Sequence, residues 1–121
     1  MIVLPWPHKL LWPNGSRGTH WAVSAAKKKA KHEASWLAIE ARRKHGDLTG
    51  REGEIAVRLT VHAKPKGTEP DKDNCVAAVK VQLDAIAKEM GINDRRFAAP
   101  VVVFAEPRNG RIVVDFPTSE D

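Results

Sequence analysis

Residues 54–63 read Glu-Ile-Ala-Val-Arg-Leu-Thr-Val-His-Ala, and apolar side chains alternate along them with mostly polar ones. The apolar set consists of Ile55, Val57, Leu59 and Val61. The other set consists of Ala56, Arg58, Thr60 and His62. Because successive side chains of a strand point to opposite faces, this period of two predicts a strand with one face against a core.

Downstream of this strand, after a loop at 64–70 with two prolines and a glycine, the apolar period becomes that of a helix. Five apolar positions follow one another at spacings of three, four, three and four residues: Val76, Val79, Leu83, Ile86 and Met90. This spacing predicts one helix over 74–90, and Gly91 is a typical signal for its end.

Another helix is predicted upstream, over 25–45, with Ser24 as its N-cap and Gly46 as its stop. Its thin apolar face consists of Ala30, Ala34, Leu37 and Ala41. Four lysines, Lys27, Lys28, Lys29 and Lys31, would lie in its first two turns. The helix dipole disfavours cations there, so a binding role would account for their position.

The two ends of the chain supply the remaining strands. Residues 2–6 predict a short edge strand, because Pro5 lacks a backbone donor, and residues 7–23 predict a loop. Residues 101–105 and 111–116 predict two strands joined by a hairpin turn at Asn109-Gly110. The order β-α-β-α-β-β predicts an α+β fold with a mixed sheet packed against two helices. We expect one domain over residues 1–121, frayed at 118–121.

Composition and charge narrow the class of protein. The 121 residues are 42% apolar and 29% charged, which excludes a wholly disordered chain. No membrane span or signal peptide is apparent, and the single cysteine, Cys75, suits a reducing cytoplasm. The net charge is +5. Between residues 27 and 44, seven bases face two acids, so this segment carries the whole excess. The excess predicts a phosphate-facing surface or, equally well, a solvated helix face.

The segment Pro70-Asp71-Lys72-Asp73-Asn74 places two carboxylates two residues apart, where both can face one point. Helix capping by these acids is the simpler interpretation. On a continuous helix, Lys80 and Asp84 lie about 20° to either side of Asp73, and Lys80 could reach back toward the first two acids. Such a group suits Mg²⁺ together with an anionic oxygen, whereas an ordinary Lys80–Asp84 pair is the alternative.

The combined pattern resembles the signature of the RusA-like Holliday junction resolvases. The run is Asp71-Lys72-Asp73-Asn74, then Lys80, then Leu83-Asp84-Ala85-Ile86, then Gly91-Ile92-Asn93-Asp94. The opening Leu4-Pro5-Trp6-Pro7, with Asn14 and Arg17 after it, is similar to the family's N-terminal element. The resemblance covers most of the chain and is strongest from 69 to 94.

The resemblance implies a homodimeric endonuclease that nicks four-way DNA junctions symmetrically, uses Mg²⁺ with Mn²⁺ as a substitute, and serves DNA recombination and repair. Such proteins are often carried by phages and prophages. It implies Asp71, Asp73 and Asp94 as the catalytic and metal-binding acids, and Lys80 as the catalytic lysine. Asn74 and Asp84 are implied as supporting residues.

These roles lead to a mechanism. The metal would activate a water and stabilise the leaving 3′-oxygen, while Lys80 would neutralise charge on the scissile phosphate. DNA contacts are expected from Arg17, Lys27, Lys28, Lys29, Lys31, Arg95 and Arg96. Four side chains of the 7–23 segment are candidates for a wedge against exposed base pairs: Trp12, Arg17, His20 and Trp21.

The length of the predicted helix over 74–90 limits how the three acids can bind one metal ion. A straight helix over 74–90 spans about 25 Å and separates Asp71 and Asp73 from Asp94. Ligands of Mg²⁺ must lie within about 2.1 Å of the ion. An antiparallel two-fold dimer would bring the acids together, which predicts composite sites that take Asp94 from the partner subunit, unless the chain doubles back after Gly91.

Two other functions fit the same residues. One is a non-catalytic basic nucleic-acid-binding protein whose aspartates only cap helices and form ion pairs. The other is a metal nuclease for flaps or other branched DNA. The five histidines lack the spacing of a zinc hydrolase. The sequence also has no glycine-rich phosphate-binding loop, so we expect no nucleotide cofactor.

Overall fold

The computed structural model describes residues 1–13 and 18–118. Its strands are β1 (Ile2–Pro5), β2 (Arg58–His62), β3 (Val101–Phe104) and β4 (Arg111–Asp115). Its helices are α1 (His20–His45), α2 (Lys72–Ala78) and α3 (Lys80–Glu89), with short 3₁₀ helices at Lys9–Leu11 and Asp94–Arg96. The protein is therefore a small α+β domain in the order β-α-β-α-α-β-β.

The four strands form one mixed sheet in the order β1-β4-β2-β3. β4 pairs antiparallel with both β1 and β2, whereas β3 pairs parallel with β2. β1 has a single strand neighbour, so the edge position predicted from Pro5 is confirmed.

The alternation in residues 54–63 is confirmed by burial. Ile55, Val57, Leu59 and Val61 are each at most 1% exposed. β2 proper begins only at Arg58, and Ile55 forms an isolated parallel bridge with Phe97. The buried face of the sheet shares one core with α1 and α3, which pack against each other. The outer face of the sheet is exposed and includes Val3, Val101 and Val103.

The predicted hairpin between the last two strands is wrong, because β2 lies between β3 and β4. The connection crosses the end of β2, where the N–H of Ala105 donates to the Val61 carbonyl and that of Gly110 to the Ala63 carbonyl. β2 is thus a central strand with partners on both edges, which satisfies the backbone groups of the most buried strand.

The predicted single helix over 74–90 is also wrong, because it is divided at Val79 into α2 and α3. Val79 has φ −104° and ψ 7°, outside the helical range. The apolar stripe nevertheless continues across the break, since Val79, Leu83, Ile86 and Met90 are all buried. The periodicity cannot reveal the break because the residue at the break is itself a core residue.

The first helix begins earlier than predicted. Thr19, not Ser24, is the N-cap, and its Oγ1 accepts the N–H of Ala22. Residues 20–23 are therefore helical, and the lysines at 27–31 lie about two turns into the helix. The helix dipole acts on charges within the first turn, so the predicted misfit of these lysines does not arise.

The helix face also differs slightly from the predicted one. Ala34, Ala38 and Ala41 are buried, whereas Ala30 and Leu37 are only half-buried. In the described ranges, no helix is both long enough and apolar enough to cross a bilayer. Of the tail expected to fray, residues 119–121 lie outside the described residues.

Candidate active site

Lys80 joins two carboxylates that come from different elements. Its Nζ donates to Oδ1 of Asp84 at 2.8 Å, one turn along α3. The same Nζ lies 3.6 Å from Oδ2 of Asp94, in the 3₁₀ helix that follows. The sequence predicted that Lys80 could reach back toward Asp71 and Asp73, whereas in the structure it contacts this other pair.

Asp94 reaches Lys80 because the chain reverses at the end of α3. Gly91 adopts φ +78°, a left-handed conformation suited to glycine. The N–H of Ile92 donates to the Ala87 carbonyl at 3.0 Å and that of Gly91 to the Lys88 carbonyl at 3.2 Å, a Schellman-type end. Asn93 then caps the next turn by accepting the Arg95 N–H. The chain thus doubles back, the exception that the straight-helix estimate left open.

The electrostatics of this group fix the charge state of Lys80. The hydrogen bond to Asp84 raises the pKa of Lys80 above its ordinary value, and the charges of Asp84 and Asp94 act in the same direction. Slight burial opposes them. Lys80 is therefore a cation at neutral pH, suited to neutralising negative charge rather than to removing protons.

The three side chains are open to solvent. Lys80, Asp84 and Asp94 retain 62%, 41% and 43% of their side-chain exposure. Both acids line an open surface depression of about 540 Å³ that also includes Lys88 and Asn93. A large anionic ligand can therefore reach this group.

The other two predicted acids lie at the start of α2. Asp71 is the N-cap residue of α2, although its side chain makes no capping hydrogen bond. Asp71 and Asp73 are both exposed, and Asn74 is half-buried. Asp73 precedes Lys80 by seven residues and lies on the other side of the break at Val79. The acids of the motif thus form two pairs, with Lys80 beside the second pair.

Next to the first pair, Cys75 is fully buried in the core. Burial raises the pKa of its thiol to about 11, and the charge of Asp71 contributes in the same direction. A protonated, buried thiol is a poor nucleophile and a poor metal ligand. Cys75 therefore acts as a small apolar core residue.

In the part of the chain that the structure describes, the expected acids do not assemble into one metal site. Across residues 1–13 and 18–118, no three His, Cys, Asp or Glu side chains form a group that could hold a metal ion. Exposed carboxylate oxygens have the right donor chemistry for Mg²⁺. The donors of one chain are nevertheless divided between the start of α2 and the end of α3.

The predicted DNA contacts fall into three groups. Lys27, Lys28, Lys29, Lys31 and Arg95 are all exposed. Arg96 is directed inward, and its guanidinium donates to the carbonyls of Arg51 and Gly53. Arg17 lies outside the described residues.

Sequence comparison finds a relative that aligns with nearly the whole chain. The chain is 33% identical over 116 residues to an uncharacterized protein of Xylella fastidiosa, an alignment that covers 93% of this chain and 72% of that protein. The chain belongs to the same family as the Xylella protein. No protein-family model matches the chain.

Two lysines outside the sequence-predicted site share a surface depression with Pro70. Lys64 and Lys66 line a depression of about 280 Å³ together with Trp6, Trp12 and Pro70, the residue before Asp71. The signal in the sequence was the basic loop that leads directly into the acidic motif. Trp12 stacks on Trp6 and donates to the Pro7 carbonyl, so it is fixed in this wall.

Proposed function

We propose that the protein is a Mg²⁺-dependent, structure-selective endonuclease that resolves four-way DNA junctions, as its resemblance to the RusA-like resolvases implies. The supporting observation is the contact of Lys80 with both Asp84 and Asp94. Residues 14 positions apart in the chain, all belonging to the motif, meet at one exposed point. A role in recombination or repair, an origin in phages or prophages and a cytoplasmic location remain predictions.

Each motif residue has a proposed role. Asp71, Asp73 and Asp94 provide carboxylate oxygens for Mg²⁺, which when bound would supply an activated water and stabilise the leaving 3′-oxygen. Lys80 meets the scissile phosphate as a point charge, exchanging one carboxylate contact for the phosphate. Asp84 holds Lys80 in place, and Asn74 supports the start of α2. Lys27, Lys28, Lys29, Lys31 and Arg95 bind the arms of the junction.

A homodimer is part of this proposal. The donors of one chain are split into two pairs, and a two-fold axis could set the first pair of one copy beside Asp94 of the partner subunit. Two such sites would cut two strands, which accounts for paired nicks. Lys80 would then help to hold the Asp94 carboxylate in the position from which it binds the metal ion of the shared site.

The experiment uses a labelled mobile four-way junction and a linear duplex of the same sequence, each with Mg²⁺ or with EDTA. Wild-type protein is expected to nick the junction symmetrically in Mg²⁺ and to leave the duplex intact. Asp73→Asn should retain junction binding and lose cleavage. Cleavage by Asp73→Asn in Mg²⁺ would contradict the assignment, and equal cutting of flaps or simple branches would favour the broader metal nuclease.

A second candidate is a non-catalytic protein that binds branched nucleic acid. The observation in its favour is the lack of a three-ligand metal group in the described part of a single chain. This candidate predicts binding to the junction with no Mg²⁺-dependent nick, and affinity that falls steeply with salt. The same assay therefore separates the two candidates.

A further inference from the structure

The solvent side of α1 carries two large aromatic side chains that the core does not use. Trp21 is 81% exposed and Trp36 is 59% exposed. Tryptophan is highly buried on average, so two such exposures on one helix are unusual, and contact with another molecule would bury them.

Helical geometry places both tryptophans in one row with cations. At about 100° per residue, the row spans roughly 80° of the helix and lies opposite the buried alanines of α1. We call it the aromatic–basic stripe, and it consists of Trp21, Lys28, His32, Trp36 and Arg43. All five side chains are exposed. Trp21 and Trp36 are 15 residues apart, about 22 Å along the helix.

Neighbouring histidines orient both indoles. The ring of His20 meets that of Trp21 edge-on, with centroids 5.9 Å apart. His32 packs edge-on against Trp36 at 6.4 Å and accepts the hydrogen bond from its indole N–H at 3.1 Å. The indole N–H of Trp36 is therefore satisfied within the helix, and what the exposed ring offers a ligand is its flat surface.

The charge around the stripe selects the ligand. Seven bases and two acids lie between residues 27 and 44, so the surface complements a polyanion. Aromatic rings stack on bases that are unpaired, whereas the bases of an intact duplex are already stacked on one another. Basic grooves with aromatic side chains are the usual design of single-strand binding surfaces.

We propose that the aromatic–basic stripe of α1 binds an unpaired DNA strand, with bases stacked on Trp21 and Trp36 and phosphates on Lys28 and Arg43. The distance of about 22 Å between the indoles corresponds to about six nucleotides at roughly 3.4 Å each. The proposal rests on the proposed function in taking DNA as the ligand, and it shares Lys28 with the surface proposed for the junction arms. It adds that this protein holds unpaired strand on a surface separate from the acids.

The test is a titration of the full chain with a 12-nucleotide oligothymidine and with a blunt duplex of equal length, at low salt. Oligothymidine should quench the tryptophan fluorescence of the wild type. Trp36→Ala should raise the Kd for oligothymidine by about 5- to 150-fold, because stacking contributes about 1–3 kcal/mol per base. Binding to the duplex should change less than twofold.

Trp36→Phe is the matched control, because it removes the hydrogen bond to His32 and keeps a stacking ring. It should bind oligothymidine within about threefold of wild type. Equal weakening by Phe and Ala would overturn the proposal, as would equal weakening of duplex binding. Unchanged oligothymidine binding by Trp36→Ala would also overturn it. In that case, loss of binding to phosphatidylserine vesicles would indicate a membrane surface as the ligand of the stripe, and a changed sedimentation coefficient would indicate a second copy of the chain.

Junction cleavage separates this inference from the proposed function. Single-strand binding that depends on Trp36, in a wild-type protein that never nicks a junction in Mg²⁺, would support the stripe and refute the nuclease. If the protein nicks junctions in Mg²⁺ but Trp36→Ala leaves oligothymidine binding unchanged, the nuclease is supported and the stripe is refuted.

Discussion

At Lys80, one ammonium group lies between two carboxylates, and this arrangement determines what the residue can do. The hydrogen bond to Asp84 raises the pKa of Lys80. A cation with a raised pKa stays charged through neutral and mildly alkaline pH, and the stabilisation from its ion pairs is present below pH 10.5 and lost as the pH rises through the higher folded-state pKa. Any contribution of Lys80 to cleavage should therefore be constant between pH 7 and pH 9.

We expect Lys80→Met to lower the rate of junction cleavage by about 100- to 1,000-fold, the usual effect of removing one group that stabilises charge in the transition state. Exposed ion pairs contribute about 1 kcal/mol or less, so the free energy of unfolding should change little. Single-turnover cleavage and urea unfolding measure the two quantities. Lys80→Arg, which keeps the charge, is the control, and a Lys80→Met protein that cuts at the wild-type rate would contradict the proposed role.

Arg95 and Arg96 are neighbours that the sequence predicts alike as DNA contacts, but their side chains have different surroundings in the structure. Arg96 donates hydrogen bonds to the carbonyls of Arg51 and Gly53, and its own carbonyl accepts from Ile55. Arg96→Ala should lower the free energy of unfolding by about 2 kcal/mol, because hydrogen bonds from a charged group are lost.

Arg95→Ala is the matched variant. Because Arg95 is exposed, its removal should change the free energy of unfolding by less than about 0.5 kcal/mol and weaken binding to the junction. Urea unfolding and a binding titration at two salt concentrations measure both effects. An Arg96→Ala protein as stable as Arg95→Ala would contradict this division of roles.

At the scale of elements, the reversal after α3 brings Asp94 to Lys80, and it depends on Gly91. A Cβ at Gly91 would lie 2.7 Å from Cγ2 of Thr49, in addition to the strain of its positive φ. Thr49 cannot easily move aside, because its Oγ1 donates to Asp47 at 2.7 Å. Gly53 has a similar φ of +69°, and a Cβ there would meet no atom within 4 Å, so this position reports the strain alone.

Gly53→Ala should therefore cost about 1–2 kcal/mol, and Gly91→Ala at least about 1 kcal/mol more. Adding Thr49→Ser to Gly91→Ala removes the methyl group and keeps the hydroxyl, and it should bring the cost back to that of Gly53→Ala. Thermal and urea unfolding of these three variants and the wild type test this. Equal stability of the two single alanine variants would show that the contact with Thr49 does not lower the free energy of unfolding of Gly91→Ala.

The sequence predicted those elements whose signal is local. The period of two at Ile55 to Val61 and the end signal at Gly91 both reflect contacts of neighbouring residues. The break at Val79 was not predictable, because a buried valine satisfies the apolar stripe whether or not the helix continues. Asn109-Gly110 favours a turn, but no local pattern could tell that the strand after it pairs with β2 rather than with β3.

At the scale of the whole molecule, the motif indicates candidate site residues but not how the fold distributes them. The acids separate into Asp71 with Asp73 and Asp84 with Asp94, because α2 and α3 place them at different points of the fold. The proposed two-fold dimer, which no single sequence encodes locally, would unite them. The aromatic–basic stripe was missed for a related reason: Trp21 was assigned to a loop, so its alignment with Trp36 did not emerge.

The most direct measurement mixes two inactive variants, Asp73→Asn and Asp94→Asn, after co-refolding, on a supercoiled plasmid with a cruciform in Mg²⁺. Sites shared between subunits predict that each heterodimer has one complete site, so the mixture should regain about a quarter of the wild-type nicks, as expected for random two-fold pairing. The product should be nicked circles rather than linear plasmid. No cleavage by the mixture, under conditions in which wild-type protein linearises the plasmid, would contradict the shared site.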